Sequence, residues 1–220
     1  MKKIIQFVLI LLFSLFFLSC KKDESLEEKE IIIELLNNFD IKNTNGFTYT
    51  LEQKLNDIVV NKHFISVKLK ITNSSIIGFR TETKKELNED FSDSQYTEIN
   101  TTAYFNNDII ATYENNTWVW NYCKFDDFIL INPNFFNFNI NKINVEKIYG
   151  FTTYKKIYFK IDNPQTLGLS ENVKDLNIEI TVSYDLKKLY RFGMSYSQKL
   201  TTTNFIFTPC YENVDIELPQ

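Results

Sequence analysis

Residues 65–71 read Ile65-Ser66-Val67-Lys68-Leu69-Lys70-Ile71. Apolar and polar residues alternate without a break, and successive side chains of a strand point to opposite faces. Ile65, Val67, Leu69 and Ile71 therefore share one face, the signature of a strand with one side buried. Asn73-Ser74-Ser75 then breaks the run. The same alternation recurs on either side. Phe47-Thr48-Tyr49-Thr50-Leu51 precedes it. Thr101 to Asn106, Ile109 to Glu114 and Thr117 to Cys123 follow it, with Asn106-Asn107-Asp108 and Asn115-Asn116 as turns. The pattern predicts a meander of antiparallel strands with one face buried. Lys84 to Asp93, KKELNEDFSD, reads as a polar loop between strands.

The second half follows a similar plan. Ile157-Tyr158-Phe159-Lys160-Ile161-Asp162-Asn163 lies 90 residues after Val67-Lys68-Leu69-Lys70-Ile71-Thr72-Asn73, and Gly168 lies 90 after Gly78. At the far end Trp118-Val119-Trp120-Asn121-Tyr122-Cys123 answers Phe205-Ile206-Phe207-Thr208-Pro209-Cys210 at an offset of 87. A match at both ends of a unit is what a duplicated domain looks like. Each unit would hold six or seven short strands in about 85 residues, a size and spacing that fit a β-sandwich. The end of the early strand, Lys68 to Asn73, resembles bacterial Ig-like modules. The expected fold is mainly β, with two tandem Ig-like antiparallel sandwiches at 44–125 and 135–216. A linker at 126–134 would join them and a tail at 217–220 would follow.

Ahead of the strands, Ser25 to Asp40 reads SLEEKEIIIELLNNFD. Leu26, Ile32, Ile33, Leu36 and Phe39 fall near one face at helical spacing. Ser25 with Glu28 three residues later forms a capping box, and acids in the first turn suit the helix dipole. A short helix is expected in a segment spanning 20–43.

The first nineteen residues have another character. Lys2 and Lys3 form a positive start, and Ile4 to Leu18 is apolar apart from Gln6 and Ser14. This run is shorter than the roughly 20 residues that span a bilayer as a helix. A basic start, an apolar middle and a small residue at the exit make a secretory signal peptide, 1–19. Phe17-Leu18-Ser19-Cys20 resembles the lipobox of bacterial lipoproteins. That resemblance implies cleavage before Cys20, diacylation of its thiol and acylation (palmitate) of the new amino group. Several acyl chains, at about 0.8 kcal/mol per buried CH₂, hold a membrane stably. Lys21-Lys22-Asp23-Glu24 looks like the surface-export signal of some Gram-negative lipoproteins, with Lys21 in place of the Asp that retains many at the inner membrane. The implied location is the outer membrane, with exposure at the cell surface.

Composition limits the chemistry. The 220-residue chain carries a formal charge of −4, which becomes about −6 once Lys2 and Lys3 leave with the leader. No Lys/Arg-dense run lies in the mature part, so a nucleic-acid footprint is absent. Twenty Phe and twelve Tyr are too many for a disordered chain. His63 is the sole histidine, and neither Cys123 nor Cys210 belongs to a C-x-x-C pair. A zinc site needs three or four N/S ligands, and a Ser or Cys nucleophile would have only His63 as its base. Asp90, Asp93, Asp126 and Asp127 lie in loop-like stretches without calcium-loop spacing and read as solvated acids. No metal, cofactor or catalytic residue is assigned.

Two features remain open in the sequence. Trp118 and Trp120, two apart on a strand, face the same way. They serve either as a platform for a sugar ring or as core, and their counterparts Phe205 and Phe207 favour core. If the aromatics fill two cores, Cys123 and Cys210 sit on outer faces. There they either form a disulfide across the repeats or remain two separate thiols. The expected function is a non-enzymatic, lipid-anchored envelope protein that binds or scaffolds another envelope component. The alternative is a glycan-binding lipoprotein of a nutrient-uptake system, and a hydrolase ranks third.

Overall fold

The alternation at 65–71 builds the end of a 14-residue strand, Ile58–Ile71. In the computed structural model, which describes residues 28–87, 96–130, 143–161, 163–167 and 169–219, this strand is β2 of one antiparallel sheet. The others are β1 (Gly46–Leu55), β3 (Ile76–Leu87), β4 (Tyr96–Asn106), β5 (Ile109–Glu114) and β6 (Thr117–Tyr122). After a short helix come β7 (Ile143–Gly150), β8 (Tyr154–Ile161), β9 (Val173–Ser183), β10 (Leu189–Gln198) and β11 (Thr201–Pro209). Their order is β6-β5-β4-β3-β2-β1-β11-β10-β9-β8-β7.

Three hairpins explain why the first half meanders. Asn56-Asp57, Asn107-Asp108 and Asn115-Asn116 all have positive φ, between 44° and 67°. Two-residue turns matched to strand twist need positive φ at both central positions, which Asn and Asp tolerate. Each pair closes its flanking strands in register: Leu55 with Ile58, Asn106 with Ile109, Glu114 with Thr117. The strand expected at Thr101–Asn106 begins earlier, at Tyr96, and the loop expected from Lys84 is strand as far as Leu87. Residues 88–93 lie outside the described residues.

The two expected Ig-like sandwiches are replaced by a single sheet. β1 pairs with β2 on one side and with β11 on the other, in register from Phe47–Pro209 to Leu55–Thr201. Both halves thus share one sheet, with the seam at β1–β11. Local alternation marks a strand with one buried face, but it does not say which distant strand lies beside it.

The sheet buries one face, here called inner. Ile65, Val67 and Leu69 of β2, Phe47 of β1, Phe205 and Phe207 of β11 and Phe192 of β10 project there and are at most 7% exposed. Ile157 and Phe159 of β8 extend the same face, so the apolar residues of β2 and β8 do correspond at the offset of 90. Gly168 lies outside the described residues. Among the described residues, two helices cover the inner face. α1, at 28–37, buries Ile32, Ile33 and Leu36, as its periodicity predicts. Phe39 just beyond it meets the Phe207 ring edge-on at 5.7 Å. Glu28 pairs with Lys155 on β8. Ser25 and Leu26 lie outside the described residues. α2 (Phe125–Ile129), which the strand pattern does not announce, buries Phe125, Phe128 and Ile129 and stops at Leu130 in the left-handed conformation.

The aromatic doublets break the expected repeat. Phe205 and Phe207 are core. Trp118 and Trp120 project from the outer face, since Trp120 stands opposite Ala111 and Ala111 opposite Tyr104, while Phe105 beside it points into the core. The same letters therefore face opposite ways. The parity of the cysteine follows: Cys123 packs against the core instead of sitting outside. Cys123 and Cys210 are free thiols, six strand positions apart in the sheet order. At about 4.8 Å per strand, that separation far exceeds the roughly 7 Å a disulfide allows between Cα atoms.

Candidate functional site

Two arrangements stand out from this frame. The first is a buried polar network on the inner face, centred on Glu82 of β3. Its side chain is 9% exposed. His63 Nε2 lies 2.8 Å from Glu82 Oε1, and Lys84 Nζ lies 3.1 Å from the same oxygen. Thr101 Oγ1 donates to Oε2 at 3.3 Å, and the Arg80 guanidinium stands 3.9 Å away. Arg80 itself is 8% exposed, donates to the Phe128 carbonyl and lies over the Phe128 ring at 5.4 Å. The Tyr49 ring meets His63 edge-on at 5.5 Å.

Alternation puts these groups on one face, and register brings them together. His63 is opposite Lys84, and Ile65 is opposite Glu82, so His63 and Glu82 meet diagonally. Burial pushes the Glu82 carboxyl up. The hydrogen bonds from Lys84 and His63, with the charges of Lys84 and Arg80, outweigh that and hold it below the ordinary range. Burial lowers Arg80, against the pull of Glu82. Burial raises Tyr49, helped by the nearby Glu82 charge. A carboxylate engaged by this many donors is a poor base. Among the described residues no Ser, Thr or Cys side chain hydrogen-bonds to His63, so no nucleophile completes a triad there.

The network carries a pH prediction. Because the folded pKa of Glu82 is depressed, its contribution is fully present above the unfolded value of about 4.3 and is lost as pH falls through the folded value. Thermal melts between pH 5 and pH 3 should show it. Glu82→Gln should cost about 2 kcal/mol at pH 7, the scale of hydrogen bonds to a charged group, and should lose less stability than the parent on acidification. Parallel acid profiles for the two proteins would contradict this role.

The second arrangement is an aromatic edge on the outer face. Phe79 of β3 packs at a tilt against Tyr104 of β4 at 4.9 Å, and Tyr104 meets Trp118 of β6 edge-on at 5.2 Å. Trp118 also meets Tyr113 of β5 at 5.2 Å. Ala111, opposite Trp120 and Tyr104, is fully covered. Trp118 is thus held between two tyrosines, and Trp120 alone of the pair is open, at 43%. Tyr122 is 74% exposed, Tyr113 56% and Ile109 45%. These residues occupy the last two described strands of the sheet, and among the described residues no strand lies beyond β6. A cleft of about 570 Å³ opens between the two arrangements where β4–β5 pairing stops at Ala103 and Thr112, with Trp118 on one side and Glu82 on the other.

The structure thus keeps Trp118 and Trp120 on one face, as the spacing predicts, but outside the core. Arg80 and Glu82, which the sequence reading passed over, become the centre of the polar network. The only signal for them was charge at inward positions of an alternating strand. Asp126 and Asp127 are exposed acids in the first turn of α2, favourable there for the helix dipole. Cys20, Asp90 and Asp93 lie outside the described residues. Among the described residues, no three of His, Cys, Asp and Glu converge to hold a metal ion.

No protein-family model and no curated protein sequence matches this chain. Among solved structures it is similar to LprF from Mycobacterium bovis, at 11% identity and a TM-score of 0.45, over 88% of this chain and 97% of that one. A LolA superfamily protein from Nitrosomonas europaea shares 5% identity at a TM-score of 0.31, over 84% of this chain and 93% of that one. A hypothetical protein from Chlamydia trachomatis shares 11% identity at 0.30, over 86% and 97%. Likeness at this level transfers no function between chains.

Proposed function

We propose that this chain is a lipid-anchored protein of the bacterial outer membrane, without catalytic activity, that binds a partner protein through the aromatic edge of its sheet. The observation that supports the binding role is the open group Trp120, Tyr122, Tyr113 and Ile109 on the last two strands. Exposed aromatics at such density mark interaction surfaces, and aromatics are enriched at protein interfaces. The edge of β6, which no described strand pairs, adds a row of backbone donors and acceptors beside them. The packing of Trp118 against Tyr104 and Tyr113 leaves no free two-indole platform, which speaks against the sugar-binding alternative.

Two measurements test the two parts. A photo-crosslinking residue at Tyr122 should give a discrete adduct in intact cells. The same residue at Thr202 on the outer face of β11 should not, and Trp120→Ser should abolish the Tyr122 adduct. Equal labelling at both positions would sink the binding surface. For the anchor, Cys20→Ser should eliminate acyl labelling and leave uncleaved precursor. A variant processed and held at the membrane like the parent would refute lipidation.

A further inference from the structure

A second surface lies on the outer face, across the β1–β11 seam. The outward residues of the central strands fall into two rungs. One runs Lys62, Glu52, Asn204, Ser195, Asn177 across β2, β1, β11, β10 and β9. The next runs Thr50, Ile206, Gly193, Glu179, Tyr158 from β1 to β8. Strand β10 thus offers only glycine and serine at consecutive outward positions, between strands that carry larger side chains. The result is a hollow of about 640 Å³, floored by Gly193 and Ser195 and flanked by Lys62, Tyr158 and Arg191. That volume is within the range of small-molecule sites.

Gly193 is not there for any local reason. Its φ is not positive, and the register shifts of β10 fall elsewhere, between Leu189 and Arg191 and between Ser195 and Ser197. A Cβ at this position would meet nothing nearer than the Glu179 carbonyl oxygen at 3.6 Å, an ordinary contact. Glycine weakens a strand interior and often marks a bulge, a bend or a site that a ligand or another backbone approaches closely.

The charges around the hollow select the visitor. Glu52 is engaged by Lys54 at 3.1 Å and by Lys62 at 3.8 Å. Glu179 is engaged by Lys156 at 3.3 Å. Arg191 is exposed and forms no ion pair with a described residue. Both acids of the lining are thus matched by lysines, which leaves Arg191 as the lining cation without an ionic partner among the described residues. Ser195, Asn177 and Asn204 add neutral hydrogen-bonding groups. We infer that the Gly193 hollow is a binding site for a small organic anion, its carboxylate or phosphate group held by Arg191. It is independent of the aromatic edge.

The test is a titration of the ¹⁵N-labelled full-length chain in detergent, with inorganic phosphate and, separately, with citrate. Saturable shifts of the Gly193, Ser195, Asn177 and Asn204 amides are expected with at least one probe, and which probe acts tells phosphate from carboxylate. Arg191→Gln, at an exposed position, should weaken the apparent affinity at least tenfold. Gly193→Leu should abolish it while the melting temperature stays level or rises. The absence of saturation with both probes, or an affinity unchanged in Arg191→Gln, would overturn the site.

Discussion

Gly46→Ala should destabilise the protein by about 4 kcal/mol or more. Gly46 has φ of +134°, a region open essentially to glycine alone, and such strain costs about 1–3 kcal/mol in other residues. The added Cβ would also stand 2.1 Å from the Val67 carbonyl oxygen, a backbone atom that cannot swing aside. The position is the hinge of the whole sheet. Cys210 N donates to Gly46 O at 2.8 Å, and Asn45 N donates to Cys210 O at 2.8 Å. Leu69 N donates to Asn45 O at 2.9 Å. Moving Gly46 away from β2 disturbs these bonds on both sides, at about 1 kcal/mol each. Melting should fall by about 10 °C or more, at about 2–4 °C per kcal/mol for a domain of this size. A variant that melts within 2 °C of the parent would show that the β1–β11 seam does not hold the two halves together.

Phe128→Ala should cost about 4 kcal/mol, within the range for a buried phenylalanine. The ring is fully buried and stacks on Phe105 at 4.9 Å. Its other neighbours are Gly78, whose missing side chain makes room for it, and the Arg80 guanidinium. A Cβ on Gly78 would lie 2.5 Å from Phe128 Cε1. Truncating the ring leaves a cavity and uncovers Arg80, which loses a cation–π partner. Urea denaturation should show a lower midpoint with an unchanged slope. Trp120→Ser, at an open position, should change stability by no more than about 0.5 kcal/mol in the same assay. If Phe128→Ala costs no more than Trp120→Ser, α2 is not part of the core.

Local chemistry wrote much of the strand content into the sequence. The alternation at Ile65–Ile71 fixed which side of β2 is buried. The Asn-Asp and Asn-Asn pairs fixed hairpins, because few residues tolerate two consecutive left-handed positions. The helical spacing of Ile32 and Leu36 fixed the face α1 presents. Period and turn chemistry are properties of a few adjacent residues, so they can be read without a structure.

Pairing between distant segments cannot be read in that way. Phe47 lies against Pro209 only because β11 returns to β1, and that return makes one sheet where the strand pattern also suited two sandwiches. The doublets Trp118/Trp120 and Phe205/Phe207 have the same spacing and opposite fates. Which face is dry depends on where α1 and α2 settle, and nothing within either doublet encodes that. Glu82 and His63, nineteen residues apart, meet through the β2–β3 register. Gly193 reads as an ordinary residue until its neighbours on β9 and β11 show it as the floor of a hollow. The sequence determined strands, turns and a helical face, because these follow from neighbours along the chain. The sheet, its outer aromatics and its polar clusters were decided by tertiary structure alone, because they follow from neighbours across it.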